Sequence, residues 1–282
     1  MKRHFPLVTF LLAASCLVGG CKKAAAPAAN ANANTAAAAA PTPNVEEVVK
    51  ELAKIDQEEI RQNPNQSSGY YNLANTYFLA GKYAEAVEQY KEAIRLDPKD
   101  AAARFEIGQC YLRLNRPDEA LAAYGEALKL NPKLAEAHME MGDAYRKQNK
   151  TKEAVAAYQQ AVRHKPDYAE AYFHLGNTYD QLEQFKDSVK AYEQAARHNP
   201  KDADAFFNLG YAHTKLEQAD ESIKAYKQAA ALKPGDAEIH RRLALLYIFK
   251  EDRAAANEEY NKVKSLDAKL AESLNQYFGQ KK

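Results

Sequence analysis

Through most of the chain, apolar residues recur at spacings of three and four, which places their side chains on one face of an α-helix. Residues 70–77 and residues 86–96 both show this spacing, and a short polar stretch around Gly81 separates them. The pattern therefore predicts two amphipathic helices joined by a tight turn.

This helix pair recurs with a period of 34 residues. Proline lacks the amide donor that a helix needs and disfavours helical geometry in the residue before it, so the periodic prolines mark the ends of second helices. A series of small residues keeps the same period and marks close approaches between backbones. The prolines are Pro64, Pro98, Pro132, Pro166, Pro200 and Pro234; the small residues are Ala74, Gly108, Gly142, Gly176, Gly210 and Ala244; and one tyrosine series is Tyr90, Tyr124, Tyr158, Tyr192, Tyr226 and Tyr260.

These series resemble the tetratricopeptide repeat, which carries an aromatic residue at position 4, Leu at 7, a small residue at 8, Tyr at 11, Ala at 20, an aromatic residue at 24, Ala at 27 and Pro at 32. The resemblance implies an all-α fold, an α-solenoid in which stacked helix pairs form a right-handed superhelix with the first helices on its concave face. Six repeats fill residues 67–270, with bounds 67–100, 101–134, 135–168, 169–202, 203–236 and 237–270.

The ends of such a stack need caps, because one helix pair cannot bury its apolar face alone. Residues 44–63 have helical apolar spacing and precede an in-phase proline, which predicts an N-terminal capping helix. Residues 271–282 contain Leu274, Tyr277 and Phe278, which predict a short C-terminal capping helix followed by a tail.

The turns inside the pairs differ along the chain. The first three fall on residues that tolerate left-handed backbone angles, whereas the last three fall on Glu, which is less suited to them. The sequence therefore predicts later turns that are tighter or differently shaped. The two groups are Gly81, Asn115 and Asn149, and Glu183, Glu217 and Glu251.

The N-terminal 43 residues do not belong to this pattern. Residues 1–20 have a basic start followed by an apolar run too short to remain as a membrane-spanning helix, which indicates a secretory signal peptide. The stretch 18–21 ends in Cys21 and resembles a bacterial lipobox, which implies a diacylated Cys21 at the mature N-terminus. Two alternatives stay open: lipidation at Cys16, and an ordinary signal peptide cleaved near Gly20.

The residues after the lipobox suggest where such an anchor would hold the protein. Lys22 stands where Asp would retain a lipoprotein in the inner membrane of Gram-negative bacteria, so the resemblance implies an outer-membrane lipoprotein facing the periplasm. Residues 21–43 are rich in Ala, Pro and Asn and cannot build a core, which predicts a flexible tether. Two acyl chains on one residue give stable anchoring.

Charge and composition narrow the class of function. The 39 Lys and Arg nearly balance the 38 Asp and Glu, so no positive surplus favours a nucleic-acid partner. The sequence has no CxxC pair, no His pair at a metal spacing and no Gly-rich phosphate loop. Cys110 lies next to a core tyrosine and is interpreted as a small buried hydrophobe. We therefore expect neither an enzyme nor a cofactor, a metal or a small-molecule substrate.

The resemblance implies that positions 2, 5, 9, 12 and 13 of each repeat face the concave side. Side-chain carboxamides at position 9 can pair with the backbone of an extended peptide, while aromatic rings at position 5 pack against its apolar side chains. The alternative is that the rings pack partly against adjacent repeats and the Asn side chains are merely solvated. The candidate groove residues are Tyr71, Phe105, Met139, Phe173, Phe207 and Arg241 at position 5, and Asn75, Gln109, Asp143, Asn177 and Tyr211 at position 9.

The middle of this groove is acidic, which favours a basic or neutral extended segment as the ligand. The family's carboxylate clamp is absent, because Tyr71, Glu136 and Glu140 occupy the places of its Lys and Arg residues, and Glu106 occupies the place of an Asn. The acidic residues are Glu136, Glu140, Asp143, Glu170 and Asp180, with Arg146 and Lys147 among them.

The last repeat carries an apolar patch formed by Leu245, Ile248 and Phe249. It is either covered by the C-terminal helix or left as a contact site for another chain. Together these features predict a lipid-anchored scaffold that binds an extended peptide or a partner protein of a secretin, pilus, secretion or cell-wall complex. The alternative is a structural lipoprotein that self-associates through the patch of the last repeat.

Overall fold

The structure is a computed structural model that describes residues 45–278. All regular secondary structure in this range is helical, in fifteen helices. Their bounds are α1 Val45–Gln62, α2 Ser67–Leu79, α3 Tyr83–Leu96, α4 Ala101–Arg113, α5 Pro117–Leu130, α6 Ala135–Lys147, α7 Thr151–His164, α8 Ala169–Gln181, α9 Phe185–His198, α10 Ala203–Lys215, α11 Ala219–Leu232, α12 Ala237–Phe249, α13 Arg253–Leu266, α14 Ala268–Glu272 and α15 Asn275–Phe278.

The helices from α2 to α13 form six consecutive pairs, and each helix packs on the one before and the one after it in the chain. This arrangement confirms the predicted all-α solenoid. It also explains the period, because each pair buries its apolar face against the next pair.

The core of each pair is built around the tyrosine at position 24. This side chain is 0% exposed in the first five pairs. It packs on position 8 of the first helix of its own pair, where a Cβ atom built on Gly142 would lie 2.5 Å from Cε1 of Tyr158. The small residue at position 8 is therefore needed for close approach within the pair.

Every turn inside a pair has one residue with left-handed backbone angles, at the same position in each repeat. This corrects the prediction that the later turns differ. Asn115 and Asn149 have φ of 57° and 59°, and Glu183, Glu217 and Glu251 have φ of 56°, 59° and 60°. In each turn the amide of the following residue donates to the carbonyl at position 11, as Gln184 does to Tyr179 at 2.9 Å. These bonds and the packing of the pair hold Glu where a glycine or asparagine is intrinsically preferred.

The N-terminal end of the stack is closed by α1, which packs on α2 as the second helix of a pair packs on the next first helix. Gln57 Nε2 donates to Tyr77 Oη at 3.4 Å, and Gln159, in α7, makes the equivalent bond to Tyr179 at 2.7 Å. At the other end, Leu274 is fully buried and the ring of Phe278 stacks on Tyr260 at 4.4 Å.

The predicted signal peptide, lipobox cysteine and tether, residues 1–43, lie outside the described residues. Among the helices of residues 45–278, none has both the length and the apolar character needed to cross a membrane.

Candidate partner-binding groove

The groove face, defined here as positions 5, 6, 9, 12 and 13 of the six first helices, is a continuous strip of side chains. Position 6 of one repeat meets position 9 of the repeat before it. Asn208 Nδ2 donates to Asn177 Oδ1 at 3.1 Å, and His174 Nδ1 lies 3.8 Å from Asp143 Oδ1. The stacking of pairs therefore brings most of the predicted site residues into one row.

Position 6 is the part of this row that sequence reasoning missed. The sequence indicated Glu140 as part of the acidic middle of the groove, but it did not indicate that position 6 of every repeat belongs to this row. Its neighbours across the repeat boundary could have been found from the sequence only if the axial offset between adjacent first helices were known.

The position 5 rings pack within their own repeat and are half-buried. Each lies against the tyrosine at position 24, with centroids 5.4 Å apart for Tyr71 and Tyr90. The equivalent distances are 5.5 Å for Phe105, 6.0 Å for Phe173 and 5.3 Å for Phe207. One part of each ring therefore belongs to the core, and the accessible part is available to a ligand.

Met139 differs from the other position 5 residues, because its side chain is only 2% exposed. It fills the core of the third repeat with Tyr158 and Leu175. The expectation that Met139 contributes ligand-contacting surface is therefore wrong for this conformation, since the flexible thioether packs inward where a stiff ring stays at the surface.

Some position 9 side chains also accept a hydrogen bond from the core tyrosine of their own repeat, which the sequence did not indicate. The hydroxyl of Tyr90 donates to Asn75 Oδ1 at 2.5 Å, and that of Tyr192 donates to Asn177 Oδ1 at 2.6 Å. Because these bonds engage the amide oxygens, Asn75 and Asn177 offer mainly N–H donors to a peptide.

The second repeat breaks this pattern, because its position 9 residue is Gln109. The Gln109 side chain hydrogen-bonds to Glu140, so it does not serve the tyrosine of its own repeat. The hydroxyl of Tyr124 is buried and has no hydrogen-bond partner among the described side chains. Burial, followed by the carboxylates of Glu140 and Glu106, raises the pKa of Tyr124.

Two carboxylates in the middle of the groove face are half-buried and have no ion-pair partner within residues 45–278. Burial raises the pKa of Glu106, and the Glu140 carboxylate raises it further. Burial also raises the pKa of Glu140, against the hydrogen bond from Gln109, and Asp143 and Glu170 add to the rise.

Three of the other acidic residues expected here, Glu136, Asp143 and Asp180, form hydrogen bonds or ion pairs with neighbouring side chains. Glu136 Oε1 lies 3.1 Å from Lys165 Nζ. Asp143 accepts a 2.6 Å hydrogen bond from Tyr158, and Arg146 Nη2 lies 3.4 Å away. Asp180 accepts from Tyr192 at 2.8 Å, although burial still raises its pKa.

The C-terminal end of the groove face is more apolar. Arg241 is held by both carboxylate oxygens of Glu238 at 2.6 Å, so its charge is already paired. Tyr211, at position 9 of the fifth repeat, packs its ring edge on Phe185 with centroids 6.4 Å apart, and Lys215 Nζ lies 5.4 Å from its centroid.

The apolar patch of the last repeat is partly covered. Leu245 packs in a cluster with Leu274 and Phe278, and Phe278 also packs on the cluster that Ile248 joins. Phe249 is 75% exposed and borders a pocket of about 380 Å³ that lies between the last two repeats. The lining residues are Thr214, Glu217, Ala219, Tyr226, Arg242, Leu245, Leu246 and Phe249.

The remaining candidate for chemistry is Cys110, which is fully buried. Burial, with a smaller contribution from Glu106, raises the pKa of its thiol to about 12, so the reactive thiolate is disfavoured. Within the described residues, no cluster of three or more His, Cys, Asp or Glu side chains could hold a metal ion.

Comparison with known proteins agrees with this architecture. A family model described as "TPR repeat" matches residues 142–182, and a second, described as "Tetratricopeptide repeat", matches residues 71–137 and 175–237. The chain belongs to the tetratricopeptide-repeat (TPR) family. The matched residues extend from the first repeat to the beginning of the sixth.

Several solved structures are similar to the chain. YrrB, described as "a TPR protein with an unusual peptide-binding site", is 25% identical, with a TM-score of 0.62 over 67% of this chain and 99% of YrrB. MamA from Desulfovibrio magneticus RS-1 is 27% identical, with a TM-score of 0.53 over 60% of this chain and 95% of that one. PilF of Pseudomonas aeruginosa is 18% identical, with a TM-score of 0.59 over 74% and 96%, and shows the shared fold. Among curated proteins, no sequence matches the chain.

Proposed function

We propose that this TPR protein is a non-enzymatic scaffold that binds an extended peptide segment or a partner protein along its groove face. The observation that carries the proposal is the continuous row in which positions 6 and 9 of adjacent repeats meet, as Asn208 meets Asn177. The similarity to YrrB, whose description names a peptide-binding site, supports the same conclusion.

The groove face supplies the two kinds of contact that an extended ligand needs. Amide N–H donors at position 9 remain for peptide carbonyls, and half-buried rings at position 5 remain for apolar side chains. The pocket beside Phe249 has a volume of about 380 Å³, which suits one or two apolar side chains. The unpaired carboxylates of Glu106 and Glu140 favour a ligand that is basic or neutral.

We further propose that the protein is held at the outer membrane, on its periplasmic side, through a diacylated Cys21. The lipobox-like residues 18–21 and Lys22 support this location, and the composition of residues 24–43 supports a tether. In that place the scaffold assists assembly of an envelope complex, such as a secretin, pilus, secretion or cell-wall machine.

The groove proposal is tested by crosslinking the full-length protein in native membranes and comparing Phe249→Ala with the wild type. The Phe249 side chain is 75% exposed, so its removal costs little stability. Ile55→Ala is the matched control, because Ile55 is 62% exposed but lies on capping helix α1. Loss of a crosslinked partner from Phe249→Ala alone is expected, and equal crosslinking by all three proteins would contradict the groove.

The anchor is tested by labelling with radioactive palmitate. Cys21→Ser should abolish incorporation and release the protein from the membrane fraction, whereas Cys16→Ser should leave both unchanged. Labelling that survives in Cys21→Ser would contradict lipidation at this residue.

Self-association is the alternative that the exposed Phe249 favours. It predicts a mass above that of one chain, 31.5 kDa before any processing, in light scattering at micromolar concentration. A monomer at every concentration would exclude it.

A further inference from the structure

The feature that the groove proposal leaves unexplained lies between the second and third repeats. Glu106 and Glu140 occupy position 6 of adjacent first helices, α4 and α6, and their carboxylates act on one another. Both also act on one buried hydroxyl, that of Tyr124, which has no hydrogen-bond partner among the described residues.

This arrangement differs from that of three other repeats. In the first, third and fourth repeats, the tyrosine at position 24 donates to the side chain at position 9, as Tyr158 does to Asp143. At position 6 of the fifth and sixth repeats the side chain has a hydrogen-bond partner: Asn208 bonds to Asn177 at 3.1 Å, and Arg242 bonds to Glu238 at 2.7 Å. Between repeats two and three, two negative charges and one hydrogen-bonding group are left without a counterpart.

The nearby cations do not supply that counterpart. Arg146 lies beside Asp143 and Tyr158. Lys147 is exposed and acts on Glu140 only through its charge, without forming an ion pair. Within residues 45–278, no cation therefore forms an ion pair with Glu106 or Glu140.

We propose that Glu106 and Glu140 bind the guanidinium group of an arginine in the partner's extended segment, with the Tyr124 hydroxyl as an additional hydrogen-bonding group. This inference rests on the proposed function and names the residue that the groove recognises. A guanidinium has five N–H donors in a planar fork, which serve two carboxylates at once more effectively than an ammonium does.

Affinity for the guanidinium is favoured because folding has already removed part of the water around the two carboxylates. The two carboxylates are half-buried and repel one another in the free protein, and a bound cation removes that repulsion. The Tyr124 hydroxyl is buried, so its contact with the guanidinium requires the side chains around it to move. The ring of Phe105, 5.5 Å from that of Tyr124, offers an apolar surface for the arginine methylenes.

The test uses the full chain and a fluorescein-labelled probe peptide, Gly-Ser-Val-Ser-Arg-Ser-Val-Ser-Gly, in fluorescence anisotropy titrations. A second peptide replaces Arg with citrulline, which has nearly the same shape and no charge. We expect the wild type to bind the arginine peptide about tenfold more tightly, a difference of about 1.4 kcal/mol. Glu106→Gln with Glu140→Gln should remove this preference, and Tyr124→Phe should reduce it.

The controls separate charge recognition from loss of fold. Glu193→Gln changes an exposed carboxylate on α9 and should keep the full preference. Circular dichroism checks that every variant keeps its helix content. Equal affinity of the wild type for the two peptides, or a preference that persists in the double variant, would overturn the inference. So would the absence of any binding at millimolar concentration, whereas the scaffold function is judged separately by the crosslinking of Phe249→Ala in membranes.

Discussion

Gly142 and the ring of Tyr158 are in such close contact that a single added methyl group has no room. A Cβ atom at Gly142 would lie 2.5 Å from Cε1 and 2.6 Å from Cδ1 of that ring, which is itself 0% exposed. The tyrosine cannot move away, because its hydroxyl donates to Asp143 on the same first helix.

Gly142→Ala should therefore destabilise the protein although alanine is the better helix former. We expect a cost of about 1–3 kcal/mol from overpacking, measured as a lower urea midpoint. Gly125→Ala is the matched control, because nothing lies within 4 Å of the added Cβ there. That variant should gain up to about 1 kcal/mol from helix propensity. Equal midpoints for the two variants would contradict the assigned contact.

The hydroxyl groups of the core tyrosines should contribute differently to the free energy of unfolding from one repeat to another. Tyr192→Phe removes the single hydroxyl proton that Asn177 Oδ1, at 2.6 Å, and the Asp180 carboxylate, at 2.8 Å, share, for which we expect a cost of about 1.5–3 kcal/mol. Tyr124→Phe removes an unpartnered buried hydroxyl and should be neutral or stabilising by about 1 kcal/mol. Urea unfolding of both variants measures the difference, and an equal cost would contradict the hydrogen-bond pattern.

The left-handed turns at Glu residues should be strained, so replacing the Glu by Gly should increase the stability of the protein. Glu183 has φ of 56°, a conformation that costs a residue with a Cβ about 1–2 kcal/mol. Glu183→Gly removes this cost but adds about 0.4–1 kcal/mol of unfolded-state entropy, so a net gain of about 0.5 kcal/mol is expected in urea unfolding. Glu193→Gly, within α9, should instead cost about 1 kcal/mol. A loss of stability in Glu183→Gly would show that the Glu side chain itself supports the turn.

The sequence was sufficient to predict the pairs, their period and the close approach at the small residues, because each of these depends on spacing within one repeat. Gly108 and Tyr124, for example, occupy positions 8 and 24 of the second repeat and are in contact inside one pair. These two positions are 16 residues apart in every repeat. The prediction about the later turns was wrong because it used intrinsic preference alone. The bond from Gln184 to Tyr179 and the packing of the pair outweigh that preference.

The groove face was harder to predict, because its contacts cross from one repeat to the next. Which side chain meets Asn177 depends on the offset between α8 and α10, and the sequence does not contain that offset. For the same reason, the inward position of Met139 and the unpartnered hydroxyl of Tyr124 could be recognised only in the structure.

The two unpaired carboxylates should make stability depend on pH. The pKa values of Glu106 and Glu140 are raised above 4.5 by burial and by like charges, so the folded state binds protons more tightly than the unfolded state. The favourable contribution of the protonated carboxyl groups to the free energy of unfolding is therefore complete below pH 4.5. It is lost as the pH rises through their raised pKa values.

Replacing both residues by Gln should remove this dependence. At pH 7.5 the double variant should have a higher urea midpoint than the wild type, because it carries no repelling charges. The advantage should shrink as the pH falls toward 4.5, while Glu193→Gln should follow the wild type at every pH. If the wild type and the double variant kept a constant difference across this range, the two carboxylates would not be the titrating groups.

An excess of the arginine peptide at pH 7.5 should raise the urea midpoint of the wild type and leave that of the double variant unchanged, because only the wild type retains the charges that the guanidinium neutralises.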